Sequence, residues 1–508
     1  MKPERNALCR CGSGKKYKHC CLGKAEFRPA EPASVEYDQL VSLSSAGRHA
    51  ELENKALSLI GRYPNCSFAW KLLGESLYMQ GKDSLSALRK TTELLPDDAD
   101  AFNNLSIVLT GLGQFNDAVN SCRRALKIKP NDARAYNNLG NALNELGHLN
   151  DAAVSFRRAL EIKPDYAKAH NNLGGTLLML NQTNDAAVSF RRALKFKPDY
   201  AEAHNNLGIT LLKLNQTNDA AASYQRAVEI KPDYTEAHFN FGNTLKTQGK
   251  LEAAAACFRS CLEIDPKDRL GARLLLAALG FEPMPLRASE AHLEAFYNKK
   301  AIQWDKNLGR TQTYFGAELV AQALKSQSNK SEKLDILDAG CGTGHVGLLI
   351  RDLANRLDGV DITPSMLEKA REKIIYDNIY PSDLESFMKN NPNQYDAITC
   401  AATLIHFGDL SPVFSAAATC LRDDGLFVFT VFQNDSEQDE KGVVVSQLDG
   451  LAQSGCYAHS RNYVTRLAES AGFVVEMLNT EIHEIHEQRA GNSIPIMCFV
   501  VVLHRHPR

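Results

Sequence analysis

No run in this 508-residue chain reaches the ~18–20 consecutive apolar residues that a membrane-spanning helix needs. The longest nearly apolar stretches, Leu426–Phe432 and Ile494–Leu503, are broken by Thr430 and Pro495. The opening residues, MKPERNALCRCGSGKKYKHCC, lack the apolar core of a secretory signal, so a cytoplasmic location is expected. An excess of one charge is also lacking. The formal net charge of −2 argues against membrane surfaces and specific DNA as whole-chain partners. With 44% hydrophobic and 23% charged residues, wholesale disorder is excluded. The length exceeds what one hydrophobic core supports, so several domains are expected. Cysteine is plentiful at 13, yet nine are scattered and four crowd into the first 21 residues. Free thiols plus a metal site in a reducing compartment fit that distribution better than disulfides.

Those four, Cys9, Cys11, Cys20 and Cys21, are spaced C-x-C-x8-C-C within residues 1–28. Four thiolates suit tetrahedral Zn²⁺, and so small a segment cannot fold on buried area alone. Redox thiols or a metal-free tail are the alternatives. Side chains of residues 1–28 sum to +6, or +4 once four thiolates and Zn²⁺ are included, which makes a basic knob. RNALCRCGSGKKYKHCC resembles the zinc motif at the C-terminal end of the SecA translocation ATPase, the SEC-C motif. The resemblance implies a structural zinc and docking to a protein or ribosomal partner.

Residues 33–268 repeat at a period of 34. Units 167–200 and 201–234 match at 25 of 34 positions, with further units at 133–166, 235–268, 99–132 and two weaker ones before them. Small residues fall where two helices of a unit meet, as at Gly208 and Ala220. Leu207, Leu211 and Tyr224 fill the seam, and Pro232 stops the second helix. These marks resemble about seven tetratricopeptide (TPR) repeats, whose stacking makes a superhelix. Residues 269–288 then read as a capping helix followed by a short Pro-containing linker, Phe281–Ala288. Asn104, Asn138, Asn172, Asn206 and Asn240 recur at the sixth position of successive units. This column resembles the inner groove of O-GlcNAc transferases, where amides hold an extended peptide. The other reading is that each Asn ties neighbouring helices together.

Residues 289–508 alternate short apolar strands with helices, the pattern of a doubly wound α/β sheet. Expected elements are strands Leu334–Ala339, Gly359–Ile362, Tyr395–Cys400 and Leu426–Phe432, with helices Val346–Leu357, Pro364–Lys373, Ser411–Arg422 and Ser460–Ala471. Val474–His486 and Ile494–His504 read as a closing hairpin, which puts His483 and His486 on the surface of a strand. Asp338 precedes the glycine turn Gly340-x-Gly342-x-Gly344, and Asp361 ends the next strand, where a carboxylate can accept from both ribose hydroxyls.

LDAGCGTGHVG and GVDIT resemble the class I S-adenosylmethionine (SAM) methyltransferases, a Rossmann-like fold with a seven-stranded sheet. GVDITPSMLEKAREK, YDNIYPSDL, HFGDL and YAHSRNYV are similar to the TPR-linked methyltransferases of bacteria. The resemblance implies that Gly340 and Gly342 admit the methionine part and ribose. Asp361 would bind the ribose hydroxyls, Ile362 and Leu384 would flank adenine, and Asp383 would accept from its amino group. Asp338 would hold the methionine ammonium, directly or through water. The acceptor would lie over TCAATLIHFGDL, with His406 as candidate base and His459 as a second; the D/N-PPY motif of many amine-methylating enzymes is absent there. Tyr297, Trp304 and Asp305 precede the first strand, either as a cofactor lid or as a packed helix face. The polar segment Asn434–Cys456 reads as an acceptor-recognition loop or as a solvated insertion. Two functions remain open: a protein methyltransferase guided by its repeats, or a scaffold whose methyltransferase domain serves a small molecule or senses SAM.

Overall fold

A computed structural model describes Pro32 and residues 34–311, 314–328, 332–434, 443–445, 456–487 and 493–506. Cys9, Cys11, Cys20 and Cys21 lie outside the described residues, as do Asp435, Glu437, Asp439 and Glu440 and the side chains of Trp304, Asp305 and His486. The chain divides into two compact units, one ending at Ser223 and the other starting at Tyr224.

The first unit is built of helix pairs, Ser34–Ser45 with His49–Arg62, Ser67–Met79 with Leu85–Leu94, and Ala99–Gly111 with Phe115–Ile128. Ala133–Glu145 with Leu149–Ile162 and Ala167–Met179 with Thr183–Phe196 follow, and then Ala201–Lys213. Helix Thr217–Ile230 contains the division. Glycine at the seam lets the paired helices close on an aromatic ring. A Cβ at Gly140 or Gly174 would come within 2.6 and 2.7 Å of Phe156 and Phe190, which are fully buried. The ring nitrogens of His170 and His204 lie 3.0 and 2.9 Å from the carbonyls of Pro164 and Pro198, which fixes each first helix to the turn before it. Three members of the asparagine column tie neighbouring helices: Asn138, Asn172 and Asn206 donate Nδ2 to Asn103, Asn137 and Asn171 at 3.4, 3.1 and 3.1 Å. Their Oδ1 atoms accept nothing among the described residues.

The second unit opens with the pair Thr235–Thr247 and Leu251–Ile264 and the short helix Ala272–Ala278. Leu275 and Leu276 of that helix close the apolar end formed by Leu245, Phe258 and Cys261. Helices α1 (Glu290–Thr311) and α2 (Gly316–Gln327) lead into β1 (Leu334–Ala339), α3 (His345–Ile350) and β2 (Ala354–Asp361). Then come α4 (Pro364–Glu372), β3 (Asn378–Pro381), α5 (Leu384–Asn390), β4 (Tyr395–Cys400), α6 (Ser411–Cys420) and β5 (Leu421–Gln433). The chain finishes with β6 (Val443–Val445), β7 (Tyr457–His459), α7 (Arg461–Ser470), β8 (Phe473–Glu487) and β9 (Ser493–Arg505).

Seven strands form the expected mixed sheet, β3-β2-β1-β4-β5-β9-β8, parallel except for β9, which runs antiparallel to β5 and to β8. Two short strands, β7 and β6, continue from the end of β5 and bring the sheet to nine. Alternate strand residues face opposite layers. Leu337, Ile398 and Phe427 pack against α5, α6 and α7, and Ile336, Ala397 and Val428 against α2 and α3. Two expectations are corrected. The helix after the glycine turn stops at Ile350, and β2 starts at Ala354, where a helix was expected to continue. His483 is 1% exposed, wedged between Tyr314 and Phe432, because bulges on β8 turn that stretch inward. The linker Phe281–Ala288 is held at its end, where Leu286 and Ala288 bond to the loop after β4. Among the described residues no helix is long and apolar enough to cross a membrane.

Candidate active site

Strand order reverses between β1 and β4, and a cavity of about 110 Å³ opens at the carboxyl ends of the strands there. Gly340, Gly342 and Gly344 line or border it with φ of +76°, +53° and +90°, in the region that favours glycine. The Gly340 and Cys341 amides donate to the Val360 carbonyl at 2.8 and 3.0 Å, which folds the turn onto β2. Asp361 then accepts from the Gly342 amide at 3.0 Å and the Thr363 amide at 2.8 Å. Burial pushes its carboxyl upward, while those two amides hold it down. Ile362 lines the same cavity.

Across the cavity, Tyr297 of α1 places its hydroxyl 2.8 Å from Nε2 of His406, in the single turn Leu404–His406 after β4. Both side chains line the cavity. Burial pushes the His406 imidazole down to about 3, helped by the nearby positive charges of His292 and Lys300, so it is neutral near pH 7. Burial moves the Tyr297 phenol the other way. Ala402, just before this turn, has φ of +56°, strained for a residue with a Cβ, and its amide is held by Thr430 at 3.1 Å.

Four expected site residues stand elsewhere. Asp338 is buried behind the glycine turn and does not line the cavity. Its carboxylate accepts from Tyr376 at 2.6 Å and Thr399 at 3.1 Å. Asp383 caps α5 through the Ser386 amide at 3.0 Å, pairs with Arg287 at 2.8 Å and does not line the cavity. Leu384 is buried in the core beside Phe387. His459 is fully buried and stacked on Tyr463, with no hydrogen bond to either ring nitrogen among the described residues. It packs as a core residue and does not reach the cavity.

Sequence reasoning missed His345, which lines the cavity with Nε2 held 3.0 Å from Glu318 of α2. It also missed Tyr376, whose ring fills the space left by Gly347 and Gly359 and whose hydroxyl fixes Asp338. The signal available was those two glycines beside the turn.

Residues 309–478 match the family model described as a methyltransferase domain. The chain carries a methyltransferase domain. TPR repeat models match residues 108–147, 140–181, 176–215, 210–249 and 235–268, and the SEC-C motif matches residues 5–23. The methyltransferase domain is similar to malonyl-(acyl-carrier protein) O-methyltransferase of Acetivibrio thermocellus, 32% identical over 106 residues, 20% of this chain and 38% of that protein. It is similar to ubiquinone biosynthesis O-methyltransferase of Aeromonas salmonicida, 28% identical over 153 residues, 28% of this chain and 63% of that protein. The chain thus spans less than two thirds of the length of either relative. Among solved structures, YrrB, a TPR protein with an unusual peptide-binding site, is 23% identical over 36% of this chain and 94% of its own, with a TM-score of 0.30.

Proposed function

We propose that the chain is a SAM-dependent methyltransferase whose repeat array and SEC-C motif bring a protein acceptor to the cavity. The observation that carries this reading is one cavity shared by the glycine turn, Asp361 and the Tyr297–His406 pair. Bound there, SAM supplies an electrophilic methyl group for in-line displacement, a reaction governed mainly by positioning. Gly340 and Gly342 would let the main chain approach the methionine part and ribose. Asp361 keeps lone pairs for the ribose hydroxyls beyond those used by two amides. Ile362 would pack on adenine, and Asp338 would act from behind the turn by fixing its shape. His345 would face the methionine carboxylate. Neutral His406 and Tyr297 would orient the acceptor, whose proton would leave to solvent as the methyl group arrives, so no covalent nucleophile is needed.

In the array, the unused Oδ1 atoms of Asn138, Asn172 and Asn206 supply acceptors for peptide amides. Cys9, Cys11, Cys20 and Cys21 have the donor chemistry of a closed structural zinc site, within a basic knob suited to docking. A second reading takes the acceptor to be a small or carrier-borne molecule. It is favoured by relatives named for malonyl-acyl-carrier protein and for ubiquinone biosynthesis. Isotope-labelled SAM, offered with lysate from cells lacking the protein, separates the two, with Asp361→Ala as control. Label in a few protein bands, lost on deleting 33–268, supports the first reading. Label confined to small molecules, regardless of that deletion, supports the second.

A further inference from the structure

We propose that the turn closing the last repeat is part of the catalytic apparatus, with Ser289 the positioning residue that sets the Tyr297–His406 pair. The inference rests on the reading of the cavity as a methyl-transfer site. The Ser289 hydroxyl donates to the Asp268 carbonyl at 3.0 Å and accepts from the His292 amide at 3.1 Å. One side chain therefore caps the first turn of α1 and ties that turn to the end of the repeats.

The anchor it holds is stiff. Asp268 accepts from the amides of Ala272 and Arg273 at 2.6 and 3.2 Å, and His292 lies 3.2 Å from the Arg269 carbonyl. A Cβ on Gly271 would come within 2.8 Å of the His292 ring, so the two elements have no spare room between them. From Ser289, α1 runs on to Leu293 and Tyr297, one and two turns along the same face, and both line the cavity.

The other half of the pair is held by the same few residues. The Ala288 amide donates to the His406 carbonyl at 2.9 Å, and the Leu286 carbonyl accepts from Gly408 and Asp409 at 2.8 and 2.9 Å. Arg287 lies opposite Phe407 in an antiparallel bridge and reaches Asp383 at 2.8 Å. Tyr457 donates to the Pro285 carbonyl at 2.7 Å and shares an apolar cluster with Ala288 and Leu274, the last from the capping helix. Residues 286–289 thus hold His406 by its main chain and Tyr297 by the start of its helix. The circuit closes through the 2.8 Å bond between their side chains. A displacement of the terminal repeat turn is passed to both partners through Ser289 and Ala288.

Substitutions in the full chain separate capping from coupling. Ser289→Thr keeps both bonds. Ser289→Asp can still cap α1 but cannot donate to the Asp268 carbonyl. The readouts are SAM affinity by calorimetry, the thermal midpoint, and the ¹⁵N NMR signal of the His406 imidazole, with Tyr297→Phe marking the unbonded position. Expected are SAM affinity within about twofold of wild type for both Ser289 variants, a wild-type His406 signal for Ser289→Thr, and a shift toward the Tyr297→Phe position for Ser289→Asp. An unmoved His406 signal in Ser289→Asp, at a wild-type midpoint, would overturn the inference. Wild-type protein that binds no SAM would overturn the catalytic reading instead, whatever the NMR signal does.

Discussion

Asp338 is buried behind the glycine turn, and loss of water there pushes its carboxyl up to about 6 despite the bonds from Tyr376 and Thr399. That value lies above the ~3.9 of an unfolded aspartate. Its contribution to stability is therefore fully present below about pH 4 and is lost as pH rises through about 6. Asp338→Asn is expected to gain on wild type between pH 4 and 7, by up to roughly 3 kcal/mol. Denaturant midpoints across that range check it, and a pH-independent difference would contradict it. His345 carries a second prediction. Among the described residues lining the cavity, His345 and His406 are the only histidines, and the His406 ring is bonded to Tyr297. His345→Ala should weaken SAM by about tenfold, the size of one lost hydrogen bond to the methionine carboxylate, and leave decarboxylated SAM unaffected, as calorimetry would show. That Asp361 and the glycine turn share one place was legible in sequence because it follows from local spacing. Asp383 was not, because its partner Arg287 is 96 residues away.

Within the repeats, packing of small against large residues makes the seam. Gly174→Ala would force a Cβ to 2.7 Å from the Phe190 ring, whereas a Cβ at neighbouring Gly175 meets nothing within 4 Å. Gly174→Ala is expected to cost about 1–3 kcal/mol by overpacking. Gly175→Ala should be neutral or gain up to about 1 kcal/mol in helix propensity; thermal melts compare the two. Around the sheet, burial drives His406 down to about 3 and His459 and His483 to about 4. Folded values below the unfolded ~6.5 mean that their contribution is complete above pH 6.5 and is lost as pH falls through about 4. Unfolding in that window should take up as many as three protons from these groups. Each is worth about 1.4 kcal/mol per pH unit, and His483→Gln should remove one from the measured slope. The strands that were legible are short apolar runs buried on both faces. The start of β2 was not, because Asn355 and Asp358 look like helix-surface residues until Asp335 and Tyr395 bond to them across the sheet.

For the molecule as a whole, two sequence-distant segments meet in one wall of the cavity. Tyr297 and His406 lie 109 residues apart, and neither neighbourhood announces the other. The stiffness of the linker was illegible for the same reason: the carbonyl of Leu286 and the amide of Ala288 bond to a loop more than a hundred residues downstream. Metal analysis of the full chain is expected to find one zinc per chain, and chelation should leave SAM affinity within about twofold, since four thiolates would close the coordination sphere of a structural zinc and leave it no catalytic role. Loss of SAM binding on chelation would contradict that separation. The central claim, that the cavity between β1 and β4 is a SAM site, is tested most directly by calorimetry of SAM with the full chain and its Asp361→Ala variant. The account predicts one site per chain, with affinity at least tenfold weaker in the variant, the loss of a carboxylate's hydrogen bonds to the ribose. No binding by wild type, or equal binding by both, would contradict it.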